Sequence, residues 1–316
     1  MARREQPKRH RVTILGTGVM GRRHVRVFSG LHTRFHLVGV FDTNQGVGQE
    51  VAESARVRCF AREAEAIAAA ELVVVASPIA AHAPQVRRAL GAGCSVLVEK
   101  PFCGRAADAH TLATSPGAGQ HLFVGHSERY NPVVVALRAL VTSRDVLALD
   151  LRRIAQPPTR SREHSVVLSL AVHDLDLAAY LTGGGIDLRS ASGAGADRAE
   201  LVVACDSGAV ARLWVDRTSR VRERRIVVTT STDILVGDLL VPRLVRTARL
   251  TGISNVLPVG DIEPLAAQAL AVADALDGRG VNDLATGVDG AQTLAVAERA
   301  IRWIEDGARE RVPAAS

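Results

Sequence analysis

The chain has 316 residues, 47% hydrophobic and 23% charged, which is the composition of a folded globular protein. No apolar run approaches the ~20 residues of a membrane-spanning helix, and no apolar stretch follows the basic N-terminus as in a signal peptide. The net charge of +6 is spread along the chain, which argues against nucleic-acid binding. The four cysteines have neither CxxC nor zinc-ligand spacing, so we expect a cytoplasmic protein without a metal site.

The first part of the chain alternates short apolar strands with helical stretches, the pattern of βαβ units around a parallel sheet. The predicted strands cover 11–15, 36–41, 56–60, 72–76, 95–99 and 121–125, and the predicted helices 19–29, 61–69, 84–92 and 105–114. The strands are continuously apolar, as expected when both faces of a sheet are covered. We therefore predict a doubly wound Rossmann domain over 11–125, preceded by a basic, disordered leader over 1–10.

After Gly125 the pattern changes. The next predicted elements are a helix near Asn131, a strand over 146–154 and a long apolar helix over 166–181. The last helix ends at Gly183-Gly184-Gly185. Five strands without intervening helices then follow at 189–193, 199–205, 209–216, 224–230 and 233–238, and helices at 263–276 and 288–305 close the chain. This order predicts an α+β domain over 126–316 with a large open, mostly antiparallel sheet.

A glycine-rich turn lies between the first strand and the first helix. Gly16-Thr17-Gly18-Val19-Met20-Gly21 matches the GxGxxG pattern of dinucleotide-binding domains. Gly16 permits the tight turn, Gly18 lets the backbone approach a pyrophosphate, and Gly21 lets the helix pack on the strand. Unpaired N–H groups at the helix N-terminus attract the phosphates. We expect Val19 and Met20 to lie against the cofactor with the glycines.

Asp42 ends the second strand ~20 residues further on, where a Rossmann domain carries the acid that binds the ribose hydroxyls. Its charge repels a 2′-phosphate and favours NAD, while Arg22 and Arg23 leave NADP open. Ser77 and Pro78 follow the fourth strand at the edge where ligands bind in such sheets. We place these two residues at the cofactor site, together with His82, although a histidine at a helix start more often packs.

Glu99-Lys100-Pro101 ends the fifth strand at the same edge. A lysine there can point at the nicotinamide and bind a substrate hydroxyl or carbonyl, and we assign Glu99 to the cofactor site beside it. Pro101 would hold the backbone in one conformation, with a cis bond as one option. The alternative for an isolated EKP sequence is a surface ion pair.

Taken together, GTGVMG with Asp42, EKP at 99–101 and VHDLD at 172–176 resemble the Gfo/Idh/MocA oxidoreductases. GHSERYNP at 125–132, and TSRV at 218–221 followed by two arginines, resemble the UDP-N-acetylglucosamine 3-dehydrogenase branch of that family. The similarity extends from about residue 11 to residue 308. It implies a Rossmann domain, a C-terminal domain with a large open sheet, and a homodimer or homotetramer formed through that sheet.

The resemblance also implies roles for individual residues. The family lysine corresponds to Lys100, which positions the substrate, and the family histidine to His173, which takes the hydroxyl proton as hydride leaves the same carbon. The family aspartate corresponds to Ser169, which is a departure from the pattern. A hydroxyl relays protons but carries no charge, and losing an acid–base component typically costs ~100- to 10,000-fold in rate.

Helical spacing suggests a substitute for the missing carboxylate. Residues at i, i+4, i+7 and i+11 share one face of an α-helix, which aligns Ser169, His173, Asp176 and Tyr180. Asp176 is therefore predicted to orient the imidazole of His173. Asp174 lies ~100° around the helix from His173 and is not expected to reach the same cleft.

By the same resemblance, His126, Arg129 and Asn131 contact the substrate. The guanidinium of Arg129 suits a pyrophosphate or a carboxylate. For Glu128 an interdomain salt bridge is an equal alternative. The arginine-rich run at 217–225 fits either a solvated strand edge or a surface facing a nucleotide diphosphate, and the sequence does not decide between them.

These features predict an NAD-dependent oxidoreductase acting on a secondary alcohol of a sugar, with C3 of UDP-N-acetylglucosamine as the leading target. One alternative is a ketosugar or imine reductase that uses NADPH on the same fold. A second alternative is a dinucleotide-binding regulator without catalytic activity. Ser169 supports the regulator, whereas the presence of both Lys100 and His173 argues against it.

Overall fold

The computed structural model describes residues 8–157, 164–281 and 283–309. These residues form two compact units. One consists of residues 8–127 with Glu263–Ala291, and the other of Glu128–Ile262 with residues 292–309. In the described part of the chain, no helix combines the length and the apolarity needed to cross a bilayer.

The elements of the first segment are β1 (His10–Leu15), α1 (Val19–Gly30), β2 (Phe35–Phe41), α2 (Gln45–Ala55), β3 (Arg58–Cys59), α3 (Glu63–Ala68), β4 (Leu72–Val75), α4 (Ile79–Gly91), β5 (Ser95–Val98), α5 (Ala106–Ala113), α6 (Ala118–His121) and β6 (Leu122–Val124). The chain continues with a 3-10 turn (Ser127–Tyr130), α7 (Pro132–Leu140), β7 (Val146–Ile154), a π-helical turn (Val167–Ala171), α8 (Val172–Thr182), β8 (Ile186–Ala194), β9 (Arg198–Cys205), β10 (Val210–Asp216), β11 (Glu223–Thr230), β12 (Asp233–Asp238), β13 (Arg243–Ala248), β14 (Ser254–Leu257), α9 (Pro264–Leu276) and α10 (Gly287–Arg309).

The sheet of the first unit confirms the predicted Rossmann fold. Its strand order is β3-β2-β1-β4-β5-β6, and every pair is parallel. The order reverses between β1 and β4, which is where an open α/β sheet binds its ligand. β4 is a run of buried Leu and Val, because helices cover both faces of the sheet.

Residues 263–291 return to this unit, whereas the sequence pattern assigns them to the second domain. Nη2 of Arg34 lies 2.9 Å from carboxylate oxygens of both Asp274 and Asp277. The N–H of Val124 donates to the carbonyl of Ala285 at 2.8 Å. These contacts join segments far apart in sequence, so local patterning carries no sign of them.

The predicted leader also needs a correction. Residues 1–7 lie outside the described part of the chain. His10 belongs to β1 and is 2% exposed, with Nε2 lying 2.8 Å from Oδ1 of Asp277.

The sheet of the second unit confirms the predicted mostly antiparallel architecture. Its order is β14-β13-β12-β11-β7-β10-β9-β8, and only β10 and β7 pair in parallel. Alternate strand residues such as Leu151 and Leu213 pack in one core cluster with Val133, Leu175 and Ala297 from the helices. The opposite sheet face carries Trp214 and Val256, which are exposed in the single chain.

Several elements differ from the sequence prediction. The helix α2 was not predicted, because two glycines lie in its first turn, although Asn44 caps it by accepting a hydrogen bond from Val47 N–H. The helix α4 begins at Ile79, so Pro84 lies inside the helix instead of starting it. β3 is only two residues long, and the β13–β14 hairpin was missed.

Candidate active site

The glycine-rich turn has the geometry of a phosphate cradle. Gly16 has φ of +90°, and a Cβ there would lie 2.6 Å from Cα of Ser77. A Cβ on Gly21 would lie 2.0 Å from the carbonyl oxygen of Gly16, so this glycine is required by close packing. A Cβ on Gly18 meets no atom within 4 Å, and no side chain caps α1 or places an acid in its first turn. The N–H groups at this N-terminus therefore fit the phosphates of a dinucleotide.

Val19 and Met20 form the start of α1 beside this cradle, and Val19 is 64% exposed. Asp42 follows β2 at the same edge of the sheet. Its Oδ2 accepts hydrogen bonds from N–H and Oγ1 of Thr17, both at 2.7 Å, and its Oδ1 accepts from N–H of Asn44 at 2.8 Å. Burial alone would raise the pKa of Asp42, but these hydrogen bonds outweigh burial and lower the pKa. The glycine-rich turn thus lies against an ionised carboxylate.

Ser77 and Pro78 follow β4, and Pro78 precedes the first turn of α4. His82 is 1% exposed, with Nδ1 lying 3.1 Å from the carbonyl oxygen of Pro101 and Nε2 lying 2.9 Å from that of Ser77. His82 therefore ties together the loops that follow β4 and β5. A contact between His82 and the cofactor stays a prediction.

Glu99 likewise lies in the interior of the first unit. It is 6% exposed, its Oε1 lies 2.7 Å from Nε2 of His24, and its Oε2 accepts from N–H of Lys100 at 3.2 Å. Burial would raise the pKa of Glu99, but His24 and Lys100 together lower it. The carboxylate is thus held by His24 of α1, and a contact of Glu99 with the cofactor stays a prediction. The sequence pattern gave no sign of this role for His24, which lies three residues after the last glycine of the turn.

Lys100 follows directly, is half-buried, and precedes Pro101 through a cis peptide bond. His126 follows β6 in the same unit and is 1% exposed, so it is a residue of the interior.

In the second unit, the helix that carries His173 is not uniformly α-helical. Val167–Ala171 form a π-helical turn, so the α-helical spacing that aligns Ser169 with His173 does not apply across it. The Ser169 hydroxyl donates to the carbonyl of Ser165 at 3.1 Å and accepts from Nη1 of Arg217 at 3.3 Å. His173 is half-buried, and two buried acids, Asp174 and Asp176, follow it on α8.

Asp176 binds Arg129 through both carboxylate oxygens. Nε of Arg129 lies 2.9 Å from Oδ2 and Nη2 lies 2.7 Å from Oδ1, and the two residues are 5% and 1% exposed. The guanidinium carbon of Arg129 also lies 4.9 Å from the centroid of the Tyr180 ring. Arg129 is therefore part of a buried ion pair, and its contact with the substrate stays a prediction. That Asp176 orients His173 stays a prediction.

Asp174 belongs to a second buried network. Nη2 of Arg153 donates to Oδ1 of Asp174 at 2.7 Å, and Nη1 donates to Oε1 of Glu128 at 3.2 Å. The same Glu128 oxygen accepts from Nη1 of Arg224 at 2.7 Å. Burial raises the pKa of Asp174, while its pairing with Arg153 opposes that rise. Glu128 thus forms salt bridges with two arginines of the second unit.

Asn131 serves as the cap of α7. Its Oδ1 accepts from N–H of Val133 at 3.1 Å, and its Nδ2 donates to the carbonyl of Leu239 at 3.0 Å. An asparagine immediately before a proline is a recognised helix start, and this signal favoured the cap over a substrate contact.

The arginine-rich run does not form a sheet edge, because β11 lies between β7 and β12. Nε of Arg217 pairs with Oδ1 of Asp197 at 2.7 Å, and the Arg217 side chain is buried. Arg222 and Arg225 are exposed, whereas the Arg224 side chain is 35% exposed. The members of the run therefore have different environments.

The parallel sheet, the open glycine cradle and the ionised acid after β2 define a dinucleotide-binding Rossmann domain. The model of the oxidoreductase family with an NAD-binding Rossmann fold, Gfo/Idh/MocA, matches residues 10–126. The chain is also 31% identical over 225 residues to a UDP-N-acetylglucosamine 3-dehydrogenase of Acidithiobacillus ferrooxidans, covering 68% of this chain and 70% of that relative. The chain belongs to the Gfo/Idh/MocA oxidoreductases and is an NAD-binding enzyme.

Two further comparisons extend this result. A solved structure of the Acidithiobacillus ferrooxidans UDP-N-acetylglucosamine 3-dehydrogenase superposes with a TM-score of 0.87 at 27% identity, covering 95% of this chain and 99% of that one. Inositol 2-dehydrogenase 1 of Saccharopolyspora erythraea is 34% identical over 186 residues, which is 56% of this chain and 55% of the relative.

Proposed function

We propose that this enzyme oxidises a secondary alcohol of a nucleotide sugar with NAD, and that its substrate is UDP-N-acetylglucosamine, oxidised at C3. The observation that carries this proposal is the similarity to a UDP-N-acetylglucosamine 3-dehydrogenase across 95% of the chain. The similarity to an inositol dehydrogenase covers 56% of the chain, and it makes a cyclic polyol the second candidate substrate.

The proposal gives Lys100 and His173 distinct roles in the reaction. Bound NAD supplies C4 of the nicotinamide as the hydride acceptor, so that a ketone and NADH are formed. The ammonium of Lys100 donates a hydrogen bond to the substrate oxygen, and His173 accepts the hydroxyl proton. Lys100 and His173 are both half-buried, so each side chain keeps some accessible surface, which supports a role for each beside bound ligands.

We further propose a cytoplasmic homodimer or homotetramer that covers the open face of the C-terminal sheet. Trp214, Val210 and Val256 lie on that face and are 38%, 47% and 62% exposed. Apolar side chains of this size are usually covered in an assembly. The free thiols of all four cysteines fit a reducing compartment.

Thermal-shift titration tests the catalytic proposal. The purified protein is titrated with NAD or NADP, with and without UDP-N-acetylglucosamine or myo-inositol, while nicotinamide fluorescence reports turnover in the same wells. We expect stabilisation by NAD, further stabilisation by the UDP-sugar, and formation of NADH. NADH formation with inositol but not with the UDP-sugar would overturn the proposed substrate. NADPH oxidation that depends on a ketosugar would favour the reductase alternative. NAD binding without turnover would favour the regulator alternative.

A further inference from the structure

Arg224 has a half-exposed guanidinium that is anchored from the interior of the second unit. It lies at the start of β11 opposite Arg153 of β7, on the sheet face that packs against helices. Its Nη1 donates to Oε1 of Glu128 at 2.7 Å, which leaves other N–H groups of the guanidinium for a ligand. An arginine oriented in this way presents its planar fork in one direction, as anion recognition requires.

The anchor is a chain of buried charges. Glu128 is held by Arg153 at 3.2 Å, and Arg153, which is 2% exposed, is held in turn by both oxygens of Asp174. Glu128 accepts from both Arg153 and Arg224, so rotation of the Arg224 guanidinium would break a charge-assisted hydrogen bond with a buried partner. The last member of this series of ion pairs, Asp174, lies on α8 next to His173. The series therefore connects Arg224 to the helix that carries His173.

The neighbouring charges favour an anion at this position. Arg153 and Arg224 balance Glu128 and Asp174, and the exposed Arg222 adds a further positive charge. Burial lowers the pKa of Arg224, and repulsion from Arg153 and Arg222 lowers it further, although Glu128 and Asp174 oppose that change. A phosphate beside the guanidinium would relieve this repulsion.

The other arginines of the run lack this combination. Arg217 is buried against Asp197, and Arg222 and Arg225 are exposed. Arg225 points to the opposite face of β11 from Arg224, because successive strand residues alternate between faces. Arg225 is therefore a matched control of the same type on the same strand.

We propose that Arg224 binds a phosphate of the nucleoside diphosphate in the substrate. This proposal rests on the proposed function, because it deepens the assignment of a nucleotide sugar. The Arg224 guanidinium is connected through Glu128, Arg153 and Asp174 to the helix of His173. By binding the phosphates, it would position the sugar of the same substrate near His173. It would also distinguish a nucleotide sugar from a free sugar or polyol.

Binding of free UDP is the direct test, since it needs neither NAD nor turnover. We would measure the Kd for UDP by calorimetry, and KM for UDP-N-acetylglucosamine, in the wild type, Arg224→Met, Arg224→Lys and Arg225→Met. We expect Arg224→Met to weaken UDP binding and raise KM by ~10- to 100-fold, the range for one lost charge-assisted donor group. Arg224→Lys should retain part of the affinity, and Arg225→Met should stay within about 3-fold of the wild type.

The Kd for NAD is the control, and it should be unchanged in all variants. It reports whether each variant is folded, and whether Arg224 binds the phosphates of NAD instead of those of UDP. Equal UDP affinity in Arg224→Met and Arg225→Met, or loss of NAD affinity together with UDP affinity, overturns the assignment of Arg224. If UDP binding depends on Arg224 but UDP-sugars are not oxidised, the phosphate site stands and the proposed substrate fails. If UDP-sugars are oxidised equally well by Arg224→Met, the proposed function stands and this inference fails.

Discussion

His24 and Glu99 form a buried pair in the Rossmann unit, with Nε2 of the histidine 2.7 Å from Oε1 of the glutamate. The two residues are 1% and 6% exposed. His24 lies on α1, one turn after the glycine cradle, and Glu99 immediately precedes Lys100. The pair therefore connects the helix that faces the cofactor phosphates to the segment that carries the candidate substrate lysine.

The first prediction concerns the pH dependence of stability. The pKa of Glu99 is lowered from its ordinary value of 4.5, so the ionised carboxylate stabilises the folded state at neutral pH. We expect Glu99→Gln to lower the free energy of unfolding at pH 7 by ~1–3 kcal/mol. The difference in unfolding free energy between wild type and Glu99→Gln should narrow as the pH falls below 4.5. At that pH Glu99 takes up a proton in the unfolded wild type before it does so in the folded state.

Urea denaturation at pH 7 and at acidic pH measures this difference. Glu50→Gln is the control, because Glu50 pairs with Arg22 in an exposed position. A deficit for Glu99→Gln that is no larger than the control, or one that grows at acidic pH, would contradict the account of Glu99.

The second prediction concerns the ion pair of Arg129 and Asp176. Removing one partner leaves a buried charge, so Arg129→Met should cost ~3–5 kcal/mol of unfolding free energy. The double variant Arg129→Met/Asp176→Leu removes both charges and should recover most of that loss. Urea denaturation of both single variants and the double variant gives the coupling energy directly.

Arg138→Met provides the matched control for this cycle. Arg138 is exposed, and its guanidinium carbon lies 5.5 Å from the centroid of the same Tyr180 ring. We expect its loss to cost about 1 kcal/mol or less. Equal costs for the two arginine variants would mean that the Tyr180 contact, and not the ion pair, stabilises this region.

The features that could be predicted from the sequence are those encoded locally. The glycines of the cradle are required by the backbone of one turn, and Asp42 is recognised by its position at the end of the next strand. The strand over 146–154 and the strand over 233–238 were predicted with the observed bounds, because each contains a short run of apolar residues. The helix cap Asn131 was visible from the proline that follows it.

The partners of the charged residues could not be predicted, because they are distant in sequence. Arg129 and Asp176 are 47 residues apart, and His24 and Glu99 are 75 residues apart. A free arginine and a paired arginine look the same in a sequence, so the ion pair of Arg129 with Asp176 could not be predicted. The π-helical turn at 167–171 likewise has no signature in the apolar pattern, so the α-helical spacing used to align Ser169 with His173 does not hold there.

The third prediction concerns cofactor selectivity. The carboxylate of Asp42 would repel the 2′-phosphate of NADP, so Asp42→Ser should lower the ratio of the Kd for NADP to the Kd for NAD by about 10-fold or more. Glu53→Gln, which removes an exposed charge from α2, should leave the ratio unchanged. Fluorescence titration with NADH and NADPH measures both ratios. An unchanged ratio in Asp42→Ser would show that another group excludes the phosphate.

The last prediction addresses Ser169, which by the family resemblance corresponds to an aspartate. Its hydroxyl lies 3.3 Å from Nη1 of Arg217, so a carboxylate introduced by Ser169→Asp would find a positive partner in place. We therefore expect the variant to fold with an unchanged Tm and an unchanged Kd for NAD.

If the missing charge limits proton transfer to His173, kcat for UDP-N-acetylglucosamine should rise in Ser169→Asp by ~10-fold or more, towards the lower end of what an acid–base component contributes. Ser190→Asp, which introduces the same charge on the exposed part of β8, should not change kcat. A kcat that stays constant in Ser169→Asp, while Tm and NAD affinity are preserved, would mean that Arg217 neutralises the new carboxylate. The double variant Ser169→Asp/Arg217→Met would then separate the two effects, because it removes the neutralising guanidinium but keeps the carboxylate.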